Sequence, residues 1–314
     1  MIWFLILLAL AAIVLFISYL CFRMAFYVTP EQKIRPKGYP IPDGDIYDPH
    51  RPQMIRWIDE IRAMPHEDVS IQSFDGLTLR GKFYEYAPNA PIEIMFHGYR
   101  GSAERDLCGG VQRAFGCGHS ALVVSQRGSV DSDGNVITFG ILESRDCQSW
   151  VDFAIEHFGS DVKLILTGIS MGASTVMIAA GRELPENVVG VLADCGFNSA
   201  EDIIKNNIRD MKLPPKISYP FVRLGALVFG HFDPNEISAM EAMKHCRLPI
   251  IFFHGEDDDY VPCWMSKICY EICPSAKKLV IVPGAGHGLS FPVDQEGYLR
   301  QLRAFDTANW QKKG

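Results

Sequence analysis

The stretch Leu164-Ile165-Leu166-Thr167-Gly168-Ile169-Ser170-Met171-Gly172-Ala173 decides how this chain is read. An apolar strand runs into a turn, and a run of small residues able to open a helix follows. A serine at the apex of such a strand-turn-helix is lifted above the sheet edge. The glycines two before and two after it remove side chains that would collide with neighbouring backbone. The helix starting behind the serine aims its dipole and free N–H groups at any negative charge that develops there. Gly-x-Ser-x-Gly occurs by chance in many proteins; the strand before and the helix after make Ser170 a candidate nucleophile.

Outward from this turn, short apolar or β-branched runs recur at 92–96, 121–125, 163–167, 188–193, 250–253 and 278–282. They show little polar alternation, as strands buried on both faces do. Helical patterns lie between them at 103–115, 144–158, 174–182, 264–273 and 295–309. Ahead of them Val69-Ser70-Ile71-Gln72-Ser73-Phe74 alternates, Asp75-Gly76 signals a turn, and 77–86 alternates again, which predicts a β-hairpin. A hairpin followed by repeated strand-helix units gives a mostly parallel central sheet with helices on both faces. The interval 198–247 breaks the rhythm, with helical pieces, the turn Leu213-Pro214-Pro215 and no convincing strand. It is too long for a plain connection and reads as a helical cap insertion over the site.

A serine nucleophile needs a base, and the base needs an orienting acid. The strand Ile250-Ile251-Phe252-Phe253 runs into His254-Gly255-Glu256-Asp257-Asp258-Asp259-Tyr260-Val261-Pro262. The next, Leu279-Val280-Ile281-Val282, runs into Pro283-Gly284-Ala285-Gly286-His287-Gly288. An acid and a histidine just past the carboxyl ends of parallel strands can meet the serine over the sheet edge, where such sheets bind ligands. Position alone leaves Asp257, Asp258 and Asp259 all open as the acid.

With these pieces in place, the chain resembles the α/β-hydrolase superfamily from about Val69 to its end, closest to the esterase and prolyl-oligopeptidase-like groups. Their typical pieces look like HG, GxSxG, HGxxDxxVP and GxGH. The resemblance implies Asp258 as the acid, four residues after His254 and four before Pro262. It implies a Ser170, Asp258, His287 triad and an oxyanion hole from the N–H groups of Met171 and Tyr99, the latter in the loop Phe96-His97-Gly98-Tyr99-Arg100-Gly101. The Tyr99 side chain is then expected to be free to line the pocket, with His97 and His254 structural. Gln126 to Gly134 resembles the family's RGxGxSxG loop but carries Val130 where a second glycine is common. Asp194, ending a strand, is supporting in relatives.

The front of the chain is a separate problem. From Ile2 to Phe22 there is no charge, and at about 1.5 Å per residue this run spans roughly 30 Å, a bilayer core. Trp3, Tyr19 and Tyr27 sit near its ends, as interfacial aromatics do. A cleaved signal peptide fits less well, because no Lys or Arg precedes the run. Residues 1–23 are read as a transmembrane anchor, 24–66 as a Pro/Gly-rich linker or wrapping arm with a short helix near 54–64, and 67–314 as the α/β-hydrolase domain. Arg23, Lys33, Arg35 and Lys37 follow the run, which puts the domain on the cytoplasmic side by the positive-inside tendency. The odd count of nine irregularly spaced cysteines agrees with a reducing compartment.

Other classes fall away. A net charge of −7 without a basic tract argues against nucleic acid. Cys263, Cys269 and Cys273 lack the second pair or the histidines that a metal site wants, and Glu256–Asp259 lacks calcium-loop spacing. No dinucleotide or phosphate loop follows the first strand, so neither cofactor nor metal is expected. The expectation is a serine hydrolase cleaving carboxylic esters, lipid or thioester included, on an acylated or small-molecule substrate. A prolyl-oligopeptidase-like peptidase and a non-catalytic tethered binding protein of the same fold are the rivals.

Overall fold

The computed structural model describes residues 1–33 and 38–311, so Arg35 and Lys37 lie outside the described residues. The chain begins with α1 (Ile2–Ala25) and reaches α2 (Arg51–Ala63) through two 3₁₀ turns. The hairpin β1 (Glu67–Gln72) and β2 (Thr78–Tyr84) follows, then β3 (Ile92–Phe96), α3 (Ala103–Asp106), α4 (Cys108–Gly116), β4 (Ser120–Ser125) and α5 (Glu143–Phe158). The nucleophile turn joins β5 (Leu164–Ile169) to α6 (Met171–Ala180), and β6 (Val188–Asp194) closes the first half. An insert carries α7 (Ala200–Asp210), α8 (Pro215–Gly225), a π-helical turn (Ala226–Gly230) and α9 (Ala239–Met243). The chain ends with β7 (Ile250–Gly255), α10 (Trp264–Ile272), β8 (Lys277–Val282), α11 (Ser290–Val293) and α12 (Gln295–Asn309).

The eight strands form one sheet in the order β1-β2-β4-β3-β5-β6-β7-β8. β1 and β2 are antiparallel, β2 joins β4 antiparallel, and every later pairing is parallel. Burial explains the composition of the middle strands. β3, β4 and β6 are buried at every position, so only apolar or internally satisfied side chains fit. One core fills the face under α5 and α6, with Trp150, Leu166, Val176 and Phe252. A second fills the opposite face under α2, α4 and α12, with Trp57, Ile58, Met95 and Tyr298. A third joins the end of α1 to the insert through Phe22, Phe26, Phe139, Ile204 and Phe232.

Helix boundaries depart from the pattern in two places. The helix expected over 103–115 breaks at Leu107 into α3 and α4. A side chain at Gly109 would stand 2.8 Å from the Trp57 ring, so this glycine admits close packing of α4 on α2. The helix expected from Ser174 starts at Met171, directly behind the turn.

Candidate active site

Ser170 adopts φ +55° and ψ −121°, a strained conformation for a residue with a side chain. The flanking glycines make it possible. A Cβ at Gly168 would lie 2.1 Å from the Gly172 carbonyl oxygen, and one at Gly172 would lie 2.0 Å from that of Phe96. The Ser170 N–H is held by the Asp194 carbonyl at 2.8 Å, across the β5–β6 pairing.

Three side chains distant in sequence meet here. His287 Nε2 lies 2.9 Å from Ser170 Oγ, and its Nδ1 lies 2.8 Å from Asp258 Oδ2. An ionised carboxylate only accepts, so Nδ1 carries the proton and Nε2 offers its lone pair to the serine hydroxyl. Asp258 is buried, whereas its neighbours Asp257 and Asp259 are exposed. Its Oδ1 accepts from the N–H groups of Val261 at 2.8 Å and Tyr260 at 3.1 Å. Burial works against its charge, but hydrogen bonds from His254 and His287 outweigh that and hold its carboxyl down at about 2.

His254 has a role that its sequence position did not suggest. Its Nε2 is 2.8 Å from the Val261 carbonyl and 3.3 Å from Asp258 Oδ2, and its Nδ1 is 2.7 Å from Ser266 Oγ. Asp258 therefore sits between two histidines. The available signal was the spacing of four residues between His254 and Asp258. Tyr47, in the arm before α2, donates its hydroxyl to the His287 carbonyl at 3.0 Å. No local motif announced it.

Gly98 lies against Ser170: a Cβ there would stand 3.4 Å from Ser170 Cβ. Its N–H donates to Asp106 Oδ2 at 2.8 Å, and Asp106 is paired with Arg105 at 2.6 Å. Among the described residues the Tyr99 N–H has no backbone acceptor, and the Met171 N–H opens α6. The Tyr99 side chain is not free, contrary to expectation. Its hydroxyl donates to the Ala25 carbonyl at 2.8 Å and its ring packs 5.0 Å from that of Phe139. Arg100 Nη2 donates to the Met24 and Tyr27 carbonyls at 2.9 and 3.0 Å. The end of a helix leaves these carbonyls without partners, and the loop supplies donors.

The remaining residues fall around this frame. His97 is buried, with Nδ1 2.9 Å from the Gly98 carbonyl and Nε2 accepting from the Gln126 N–H at 3.1 Å. The Asp194 carboxylate accepts from Ser290 at 2.8 Å and Tyr298 at 3.1 Å, steadying the segment after His287. The loop with Val130 is pinned by other contacts: Arg127 on Asp146 and Asp75, and Ser132 Oγ on the Ser125 carbonyl. Among the described residues, Cys195, Asp258 and His287 hold potential metal donor atoms within 4.8 Å of one another. Burial pushes the Cys195 thiol well above its usual range, so it stands beside the site as a neutral group. Cys269 and Cys273 are buried and Cys263 is half-buried. Ser170 itself is only 7% exposed, and two cavities, of about 450 and 600 Å³, are lined by neither Ser170 nor His287.

No family model matches the sequence. It is 24% identical over 189 residues to the uncharacterised protein YqkD of Bacillus subtilis, covering 60% of this chain and 62% of that one. It is 28% identical over 191 residues to the uncharacterised membrane protein YNL320W of Saccharomyces cerevisiae, covering 60% and 61%. The chain thus spans about three-fifths of each of these two relatives. Among solved structures, the Pyrococcus furiosus esterase Pf2001 superposes with a TM-score of 0.66 at 18% identity, over 87% of this chain and 98% of the esterase. The Pyrococcus horikoshii acylaminoacyl peptidase superposes with a TM-score of 0.57 at 16% identity, over 81% of this chain and 44% of the peptidase. Sheet order, nucleophile turn and these superpositions agree: the chain has the α/β-hydrolase fold.

Proposed function

We propose that this chain is a membrane-anchored serine hydrolase that cleaves carboxylic esters, lipid esters or thioesters included, through an acyl-enzyme. Ser170 attacks the carbonyl carbon while His287 Nε2 takes its proton. Asp258 fixes the imidazole and stabilises its charged form. The backbone N–H groups of Met171 and Tyr99 face the tetrahedral oxygen. Collapse expels the alcohol or thiol, which takes the proton from His287, and water then releases the acid by the same route. The observation that carries this reading is the pair of hydrogen bonds from Ser170 to His287 to Asp258, mounted on a strained serine at a helix start.

The insert over 198–247 acts as the cap, and its apolar pieces Ile217, Phe221 and Leu224 suit acyl or aryl groups. A peptidase activity is the second reading, favoured by the likeness to the acylaminoacyl peptidase. Residues 1–23 serve as the anchor. α1 is long and apolar enough to cross a membrane and is almost wholly exposed until Ser18 and Phe22 pack on the domain. A segment whose last turns belong to a core suits retention better than removal. The cytoplasmic side remains the orientation inferred from Arg23 and Lys33.

The test is labelling of the full chain with a fluorophosphonate probe, followed by panels of chromogenic esters and aminoacyl amides. Labelling of wild type and none of Ser170→Ala supports the nucleophile. A wild-type protein that is folded yet unlabelled and inert would remove it.

A further inference from the structure

We propose that the outer face of α8 and the π-helical turn rests in the lipid bilayer that α1 crosses, so that the site draws acyl substrates out of the membrane. This rests on α1 as the anchor and Ser170 as the nucleophile. Depth is the first argument. α1 is free of the domain only from Ile2 to Ile17, because Ser18 is buried. Those residues rise roughly 24 Å, short of the ~30 Å that hydrocarbon occupies. The uncharged run continues past Ser18 to Phe22, with Arg23 the first charge, so an apolar layer matched to it reaches about Phe22.

What lies at that depth is the insert. A Cβ at Gly225 would stand 2.2 Å from the Ser18 carbonyl oxygen, so α8 packs directly on α1 there. Phe229 packs on Tyr19 and Phe22, and Phe232 on Phe26. The insert thus follows α1 downward, and its outer side meets whatever surrounds α1.

That side is built for lipid. Leu213, Ile217, Leu227 and Val228 are all exposed, Ile217 to 66%. Ile217, Pro220, Leu224 and Leu227 follow the three-and-four spacing of one helical stripe. From Met211 to His231 the chain carries Lys212, Lys216 and Arg223 and no acid, in a protein of net charge −7. Lys216, Tyr219, Pro220, Leu224 and Leu227 line a groove of about 600 Å³, together with Lys205, which pairs with Glu201, and Arg223, which pairs with Asp233. Lys212 and Lys216, beside these apolar side chains, suit the headgroup layer of an anionic leaflet.

The surface connects to the chemistry. The exposed Tyr260 has its ring 5.0 Å from the His287 imidazole. Met211 and Leu213, both exposed, follow α7 directly. An acyl chain sliding out of the bilayer along this edge would reach the mouth of the site without crossing water.

The experiment uses the full chain in nanodiscs of phosphatidylcholine and phosphatidylserine containing a phosphatidylcholine with a diazirine in its acyl chain. Photolabels mapped by mass spectrometry should fall on α1 and within 211–230. Labels on α1 alone, or on neither, overturn the proposal. A second arm compares wild type with the double variant Leu227→Asp, Val228→Asp on a short soluble ester and on a long-chain ester dispersed in the same bilayer. Soluble-ester turnover should hold within about twofold while bilayer-ester kcat/KM falls roughly tenfold or more. Equal losses, or none, overturn it. Failure of the nucleophile reading is distinguishable, since it would show as an unlabelled Ser170 with a soluble fluorophosphonate whatever the photolabel map.

Discussion

Two buried acid–histidine pairs stand at opposite ends of the sheet. At the carboxyl ends of the strands Asp258 meets His287, whose second nitrogen faces Ser170. At the amino ends Glu93 of β3 meets His119, 2.9 Å from Nδ1, and the second nitrogen of His119 faces Asp306 at 3.5 Å. Arg113 and Thr167 complete that second cluster, each donating to Glu93, with Arg113 at 2.6 Å. Both acids are held near 2, against burial, by their partners. What separates the pairs is the far side of the imidazole. One ring turns a lone pair toward a hydroxyl that can be deprotonated. The other lies between two carboxylates, which favour its charged form and leave nothing to react. The same pairing is the proposed reaction centre at one end and a brace at the other.

The largest effect that tests this contrast is loss of the open histidine. His287→Ala should lower ester turnover by about 10⁴-fold or more with little change in the melting temperature. The closed pair should behave the opposite way. Glu93→Gln leaves Arg113 buried without its counter-charge and His119 with Asp306 alone, and should destabilise by about 3–5 kcal/mol. Turnover per folded molecule, read by active-site titration, should be unchanged. If Glu93→Gln instead slowed turnover at full stability, the division of labour would be wrong.

A smaller effect follows from pH. His119 is raised from 6.5 to about 9: burial opposes its charge, but the carboxylates of Asp306 and Glu93 outweigh it. A group whose folded pKa lies above its unfolded value contributes stability that is complete below the unfolded value and is lost as pH rises through the folded one. Chemical denaturation between pH 6.5 and 9 should therefore show a progressive loss on the order of 3 kcal/mol. In His119→Gln that slope should flatten.

The contrast also marks what the sequence could disclose. The strands were readable because full burial demands runs such as Leu164 to Leu166 or Ile250 to Phe253. The nucleophile turn was readable because Gly168 and Gly172 leave room that no other residue would. The brace was not, since Glu93, Arg113, His119 and Asp306 come from separate elements and share no spacing. The tie from Tyr99 and Arg100 to the end of α1 was hidden for a similar reason. It uses backbone carbonyls, which carry no residue signature. The strand order, with β4 between β2 and β3, likewise depends on a crossover that a list of apolar runs does not encode.

His254 sharpens the comparison at the smallest scale, because it is a closed histidine inside the open site. It shares Asp258 with His287, yet its other nitrogen meets Ser266 and it is fully buried. His254→Gln keeps an amide donor near Asp258 but loses one of the two ring contacts, so the cost should be about 1 kcal/mol. Turnover at neutral pH should fall by no more than about tenfold, as Asp258 keeps His287 and two backbone N–H groups. The informative change lies in acid. Asp258 is depressed from 3.8 to about 2, so its stability is present above 3.8 and is lost as pH falls toward 2. With one donor weakened the folded value rises toward 3.8, and the acid unfolding midpoint should move to higher pH. An unchanged acid midpoint with a large loss of turnover would mean that His254 takes part in the reaction and is no brace.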